Sequence, residues 1–334
     1  KEQLKKSIVF YFMKSRQFTP FMESVIVTLQ ESGKLGTVHI YRSTLRALNL
    51  YCGGRPLPFS GLTASWLKGF EGYLRRRNCK WNTVSTYMRV LRAVYNRALS
   101  RGLAQYVPLQ FRDVYTGTRA DRKRSIAGDE LPAVFSRKKP YAGLSSELQR
   151  TYGLFVLMFL LRGMPFVDLA YLRKCDLSEG RIMYRRRKTG RLLSVRLTPV
   201  ALHLIARYGN TDPSSPYLFP ILRSSSPEEA YSEYRRALRG FNRRLRMLGL
   251  RLGLNSTLST YCARHTWATV AYHSEIHPGI ISEAMGHSSI TVTETYLKPF
   301  NDMKIDEANA KVVGSVMGGV ILGNALKKKP LLRR

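Results

Sequence analysis

Between Tyr261 and Tyr296 the chain reads YCARHTWATVAYHSEIHPGIISEAMGHSSITVTETY. This stretch gathers a guanidinium, several imidazoles and three phenols. Tyr261 and Arg264, one helical turn apart, share a face that is expected to point inward. Pro278 suits the first turn of the next helix and Gly286 its left-handed end, which delivers His287 at a helix terminus where an imidazole can reach a ligand. Ser288 or Ser289 can cap a further short helix carrying Tyr296, nine residues after His287. Fixed cations and donors around a phenolic oxygen suit attack on a centre that gains negative charge. A lone Tyr in a helix is usually core packing, so the inference rests on the combination.

Two upstream segments carry further polar groups. RIMYRRRKTGRLLSVRL reads as a β-hairpin. Ile182 and Tyr184 alternate on one arm, Leu193, Val195 and Leu197 on the other, with Thr189-Gly190 at the turn and Lys188 beside it. The run LMFLLRGMPFVDLAYLRKCDL places Arg162, Asp168 and Asp176 around an apolar helix. By themselves, a lysine at a hairpin tip is ordinarily solvated and Arg162 could simply pair with a nearby carboxylate.

The elements that must position these groups follow from periodicity. From Phe18 to about Gly102 the pattern is helical, clearest over Thr37 to Tyr51 and Asn82 to Leu99. In the latter, Val84, Tyr87, Met88, Leu91, Val94, Tyr95, Ala98 and Leu99 recur every three to four residues. Asn82 or Thr83 can cap that helix and Gly102 can end it. Arg89, Arg92, Arg97 and Arg101 take its remaining surface, where they could reach phosphates or face solvent. Residues 105–128, with Pro108, Gly117, Arg119, Arg122, Lys123, Arg124 and Gly128, show little periodicity and are expected to link two domains. Beyond them, helices near Gly128–Ser136 and Ser145–Leu161, strands at 181–197 and helices from Thr198 to about Leu297 predict a mainly α domain with a small antiparallel sheet.

The chain has 334 residues, 44% of them hydrophobic, enough for two domains with separate cores. Its 55 Lys and Arg against 22 Asp and Glu give a net charge of +33, spread over both halves, which points to a polyanionic partner. A merely cationic or ribosomal-type protein is usually poor in aromatics, whereas this chain has 19 Tyr and 14 Phe. Cys52, Cys79, Cys175 and Cys262 form no Cys-x-x-Cys pair, so neither zinc nor a disulfide framework is suggested and a reducing cytosol is expected. The apolar stretch Val312–Leu322 is too short and glycine-rich to span a bilayer.

With Arg264-His265-Thr266-x-Ala268-Thr269, then Gly286-His287-Ser288-Ser289, then Tyr296, the chain resembles the tyrosine recombinase (phage integrase) family. The wording Arg162-Gly163-Met164-x-Phe166-Val167-Asp168 is similar to integrases of Bacteroidetes mobile elements. The resemblance implies a two-domain C-shaped clamp: a helical core-binding domain of SAM-like type over 1–104, the 105–128 linker, a catalytic domain over 129–300, and a tail, 301–334, that contacts a neighbouring protomer. It implies Tyr296 as nucleophile, Arg264 and His287 as catalytic groups and Lys188 as the acid for the leaving 5′ oxygen. It also implies double-stranded DNA as substrate, a homotetramer on two DNA sites, a possible accessory DNA-bending protein, a bacterial cytoplasmic location and no cofactor. Arg89, Arg92, Arg97, Arg122, Arg124, Arg187 and Arg191 are candidate DNA contacts.

Two positions depart from the family pattern. Pro165 stands where the first catalytic arginine usually lies. Arg162, three residues earlier, could supply the charge if that offset is one helical turn. Tyr261 stands where a histidine is usual; its hydroxyl could contact phosphate but cannot copy an imidazolium. These departures keep open a DNA-binding protein of impaired catalysis, while the chemistry alone would also suit type IB topoisomerase-like relaxation.

Overall fold

A computed structural model describes residues 17–119, 125–135, 143–294 and 302–317. The chain divides into two compact units, Lys1–Arg122 with Ser224–Ser232, and Lys123–Arg223 with Glu233–Arg334.

The first unit is helical: α1 (Phe18–Glu31), α2 (Leu35–Tyr51), α3 (Ala64–Arg76) and α4 (Trp81–Leu99). Its core is made by Phe18, Phe21, Met22, Leu48, Leu67 and Phe70 together with the expected α4 stripe of Val84, Met88, Leu91, Val94 and Ala98. The start of α4 differs from expectation. Lys80 occupies the cap position without a side-chain cap. Asn82 lies inside the helix and clasps Arg119 instead, donating to its carbonyl and accepting from its N–H, both at 2.8 Å. Residues 105–119 are likewise not a free linker. Val114 is in the core, the Gln110 side chain donates to the Leu62 carbonyl, and the Tyr115 N–H donates to the buried Glu71 carboxylate at 2.8 Å. The division of the chain falls after Arg122, within the basic cluster. These contacts join residues distant in sequence, so local periodicity carries no trace of them.

The second unit contains α5 (Leu131–Phe135), α6 (Ser146–Leu160), α7 (Phe166–Tyr171), then strands β1 (Leu177–Ser178), β2 (Arg181–Arg185) and β3 (Leu192–Arg196). The strands form one antiparallel sheet in the order β1-β2-β3, with Ile182 opposite Val195 and Tyr184 opposite Leu193. The inward residues of both arms are buried, as their alternation predicts. Next come α8 (Pro199–Tyr208), α9 (Pro227–Arg251, of which the part from Glu233 belongs to this unit), α10 (Thr260–His273), α11 (Pro278–Met285), α12 (Ile290–Glu294) and α13 (Asp302–Met317). Phe155, Met158, Phe166, Leu169, Phe219, Phe241 and Leu245 make the core between helices and sheet. Among the described residues no helix is long and apolar enough to cross a membrane.

Three local devices set up the site. Pro278 opens α11 and Gly286, at φ +66°, closes it left-handed, as its sequence suggests. Ser145 caps α6 by accepting from the Leu148 N–H. Between α6 and α7 the chain turns sharply through two consecutive left-handed residues, Arg162 at φ +58° and Gly163 at φ +67°.

Candidate active site

Arg264, on α10, is 3% exposed. Its guanidinium donates to the Gly163 carbonyl at 2.9 Å and to the Met285 carbonyl at 2.8 Å, and one nitrogen lies 2.6 Å from Nε2 of His287. Gly163 is required there: a Cβ at that position would stand 2.8 Å from the Cα of Arg264, a backbone atom that cannot move aside. The left-handed turn therefore lets the α6–α7 connection close against α10, and sequence spacing is converted into contact.

His287 follows the left-handed Gly286 and is buried, with Nδ1 2.8 Å from Oγ1 of Thr293 on α12. Burial, then the charges of Arg264, Arg186 and Lys188, push its pKa down to about 3. The direction follows from a ring withdrawn from water among positive groups, both of which disfavour its charged form.

The hairpin tip is docked on the same loop. Thr189 donates to the Gly286 carbonyl at 3.2 Å, and Arg191 donates to the His287 carbonyl at 3.0 Å while pairing with Glu283 at 3.6 Å. Lys188 is exposed, and its charge is felt at His287. Arg187 is exposed and packs against α7. Its N–H donates to Asp168 at 3.0 Å, and its guanidinium lies 3.7 Å from the centre of the Tyr171 ring.

Arg186, which sequence reasoning passed over, stands in the middle of this arrangement. It is 6% exposed, donates to the Met285 carbonyl at 2.6 Å and lies 3.3 Å from the Asp168 carboxylate. That ion pair has no aligned hydrogen bond, so Oδ2 of Asp168 and Nε of Arg186 both keep unused capacity. Burial raises the pKa of Asp168, opposed by the Arg187 N–H and by the charges of Arg186, Arg264 and Arg187. Two buried guanidiniums thus converge on one carbonyl oxygen, an arrangement suited to a further anion. The signal for Arg186 was present in the alternation. Ile182 and Tyr184 face inward, and the next position in that series is 186.

Arg162 does not sit as expected. Helix α6 ends at Leu160 and Pro165 caps α7, so the three-residue offset from Pro165 is not a helical turn. Arg162 is half-buried in the left-handed turn, close enough to Tyr184 for its charge to act on that phenol. Arg186 is the arginine beside Asp168. Tyr261 is 52% exposed and does not point inward with Arg264. Three residues leave two positions about 60° apart on a helix, and here the buried sector runs through Cys262, Ala263, Arg264 and Thr266. The Tyr261 ring lies 6.3 Å from that of His265, which shares its side of the helix. Thr266 accepts from the Ile126 N–H at 2.9 Å and so anchors the entry to this unit. Arg89, Arg92 and Arg97 are exposed on α4. Tyr296, Arg122 and Arg124 lie outside the described residues.

The Arg264–His287 site lies wholly within the second unit, the α-rich one with the three-stranded sheet. Residues 17–114 match the phage integrase SAM-like domain and residues 134–302 match the phage integrase family. The chain belongs to the phage integrase family and is a site-specific tyrosine recombinase. Among solved structures it is similar to the Tn1549 transposon integrase in complex with transposon right end DNA, with TM-score 0.62, 15% identity, and 89% of this chain and 99% of that one covered. It is also similar to a lambda integrase dimer bound to a COC′ core site (0.56, 15%, 80% and 93%) and to a lambda integrase tetramer bound to a Holliday junction (0.55, 15%, 82% and 78%). None of the curated protein sequences compared matches the chain.

Proposed function

We propose that this recombinase cleaves DNA with Tyr296 and holds the scissile phosphate between Arg264 and Arg186, with Lys188 as acid. The phenolic oxygen attacks phosphorus, the new bond forming as the bond to the 5′ oxygen breaks. The strand is left as a 3′-phosphotyrosyl ester, and the departing 5′ oxygen takes a proton from Lys188. The phosphate's negative charge offsets those of Arg264 and Arg186. With phosphate bound, the Arg264 guanidinium turns from His287 to it, and the Nε2 lone pair so released accepts the phenolic proton. Reversal of the same steps with a different 5′ hydroxyl rejoins the strands.

The observation that carries this reading is the convergence of two buried guanidiniums and His287 at the end of α11, with the Lys188 hairpin docked on the same loop. Arg186 takes the part left open by Pro165, with Arg162 a second contributor of positive charge and Tyr261 an exposed phosphate contact. Arg89, Arg92, Arg97, Arg122, Arg124, Arg187 and Arg191 are proposed to track the DNA backbone, with the side chains of Arg187 and Arg191 also holding the hairpin. A homotetramer on two double-stranded sites, aided by an accessory DNA-bending protein in a bacterial cytoplasm, completes the proposal. The exposure of Met303, Ile305 and Val312 on α13 supports a protomer contact there.

Covalent capture tests it. The protein is incubated with a randomised DNA pool, stopped with detergent, and the attached DNA sequenced. An adduct formed by the wild type and lost in Tyr296→Phe, with DNA affinity retained, is expected. An adduct that persists in Tyr296→Phe would assign the nucleophile elsewhere. Binding by both proteins with no adduct from either, even on nicked substrates that block religation, would favour a binding protein.

A further inference from the structure

Among the described residues, the His287 ring meets partners of different character at its two nitrogens. Arg264 lies at Nε2, 2.6 Å away, and the Thr293 hydroxyl at Nδ1, 2.8 Å away. A guanidinium has only hydrogens to give, so Nε2 must present its lone pair. A neutral ring then carries its proton on Nδ1 and donates it to Oγ1 of Thr293. The depressed pKa of His287 agrees with a neutral ring.

Thr293 is fully buried and belongs to α12, which ends at Glu294, two residues before Tyr296. The loop joining α11 to α12 is tied at both ends, the His287 N–H donating to the Ser282 carbonyl at 3.0 Å and the Ser282 hydroxyl to the Ser289 carbonyl at 3.3 Å. Thr293 adds a tie from the body of α12 back to the imidazole.

We propose that Thr293 is a positioning residue for His287. Its hydroxyl fixes the proton on Nδ1 and the lone pair on Nε2, and so ties the state of the imidazole to the seating of α12, the helix just ahead of Tyr296. The inference rests on the reading of Tyr296 as nucleophile. If α12 lifts, the Nδ1–H loses the Thr293 hydroxyl in a buried place, and with it the bond that fixes the proton on that nitrogen. If α12 is seated, the ring presents its lone pair toward Arg264. Delivery of the nucleophile and readiness of the group that takes its proton then become one event.

The test uses the full chain, a nicked substrate carrying a captured site, and the variants Thr293→Val, which keeps shape without the hydroxyl, and Thr293→Ser, which keeps the hydroxyl. Thr293→Val is expected to bind DNA as the wild type does but form adduct roughly 10- to 100-fold more slowly, the rate equivalent of one buried N–H left unpaired. Thr293→Ser is expected to stay within about threefold, a change no larger than the loss of one tolerated methyl. With ¹⁵N-labelled histidine, a slowly exchanging Nδ1–H signal, assigned by its loss in His287→Gln, should be present in wild type and Thr293→Ser and absent in Thr293→Val. A Thr293→Val protein with wild-type rate and signal overturns the proposal. Equal loss of rate in both variants also overturns it, by reducing Thr293 to packing. Should the wild type form no adduct, the Tyr296 reading fails separately, and the histidine signal still decides the role of Thr293.

Discussion

Arg186→Gln is the substitution that most directly probes the structure's departure from sequence expectation. The change removes the cation 3.3 Å from Asp168, whose side chain is fully buried. Breaking a buried pair by deleting one partner costs about 3–5 kcal/mol. Here the lower end applies, about 3 kcal/mol, because the pair lacks an aligned hydrogen bond and the charge of Arg264 still reaches Asp168. In an Asp168→Asn background the same substitution removes only a hydrogen bond to the Met285 carbonyl, about 1 kcal/mol. The expected coupling is therefore about 2 kcal/mol, measured by urea unfolding of the four proteins in a double-mutant cycle. The catalytic contribution is read separately. Comparing Arg186→Gln/Asp168→Asn with Asp168→Asn alone, adduct formation should fall roughly 100- to 1,000-fold, the loss typical of one fixed donor to a developing oxyanion. A coupling below about 0.5 kcal/mol would refute the ion pair. An unchanged adduct rate in that comparison would refute the assignment of Arg186 to the phosphate while leaving the pair intact.

Three further outcomes follow from the same geometry. Gly163→Ala should destabilise the protein by about 2–4 kcal/mol, the left-handed backbone and the clash with Arg264 each contributing; calorimetry and adduct assays should show stability and cleavage falling while the helical unit's DNA affinity holds. An unfolded histidine titrates near 6.5 while folded His287 is held down to about 3, so stability present above pH 6.5 is lost as pH falls toward 3. From pH 7 to 5.5 this residue should remove about 1 kcal/mol, and a urea midpoint series on His287→Gln should lack that share of the slope. Arg89→Ala and Arg92→Ala, on the exposed face of α4, should each lower the slope of log affinity against log salt by roughly 0.9 if they neutralise a phosphate; an unchanged slope in filter-binding titrations would return them to the solvated surface.

The sequence by itself determined those parts of the protein in which neighbours along the chain are also neighbours in space. The α4 stripe from Val84 to Ala98, the inward alternation of β2 and β3, and the opening and closing of α11 by Pro278 and Gly286 are set by helix and strand periods and by backbone freedom at single residues. Arg264 and His287 were legible for that reason, since their types and intervals lie within one continuous run. Tertiary structure decided which charges meet. Arg162 is close to Pro165 in sequence but sits in a left-handed turn between two helices, whereas Arg186, 18 residues beyond Asp168, is brought beside it by the sheet. Tyr261 and Arg264 share a helix, yet the core covers one and leaves the other exposed, which no spacing rule can anticipate. The same holds for residues 105–119, aperiodic in sequence and fixed by Gln110, Val114 and Tyr115 to distant partners. Periodicity reports the face of an element, while the pairing of faces depends on packing across residues that the chain brings together only when it folds.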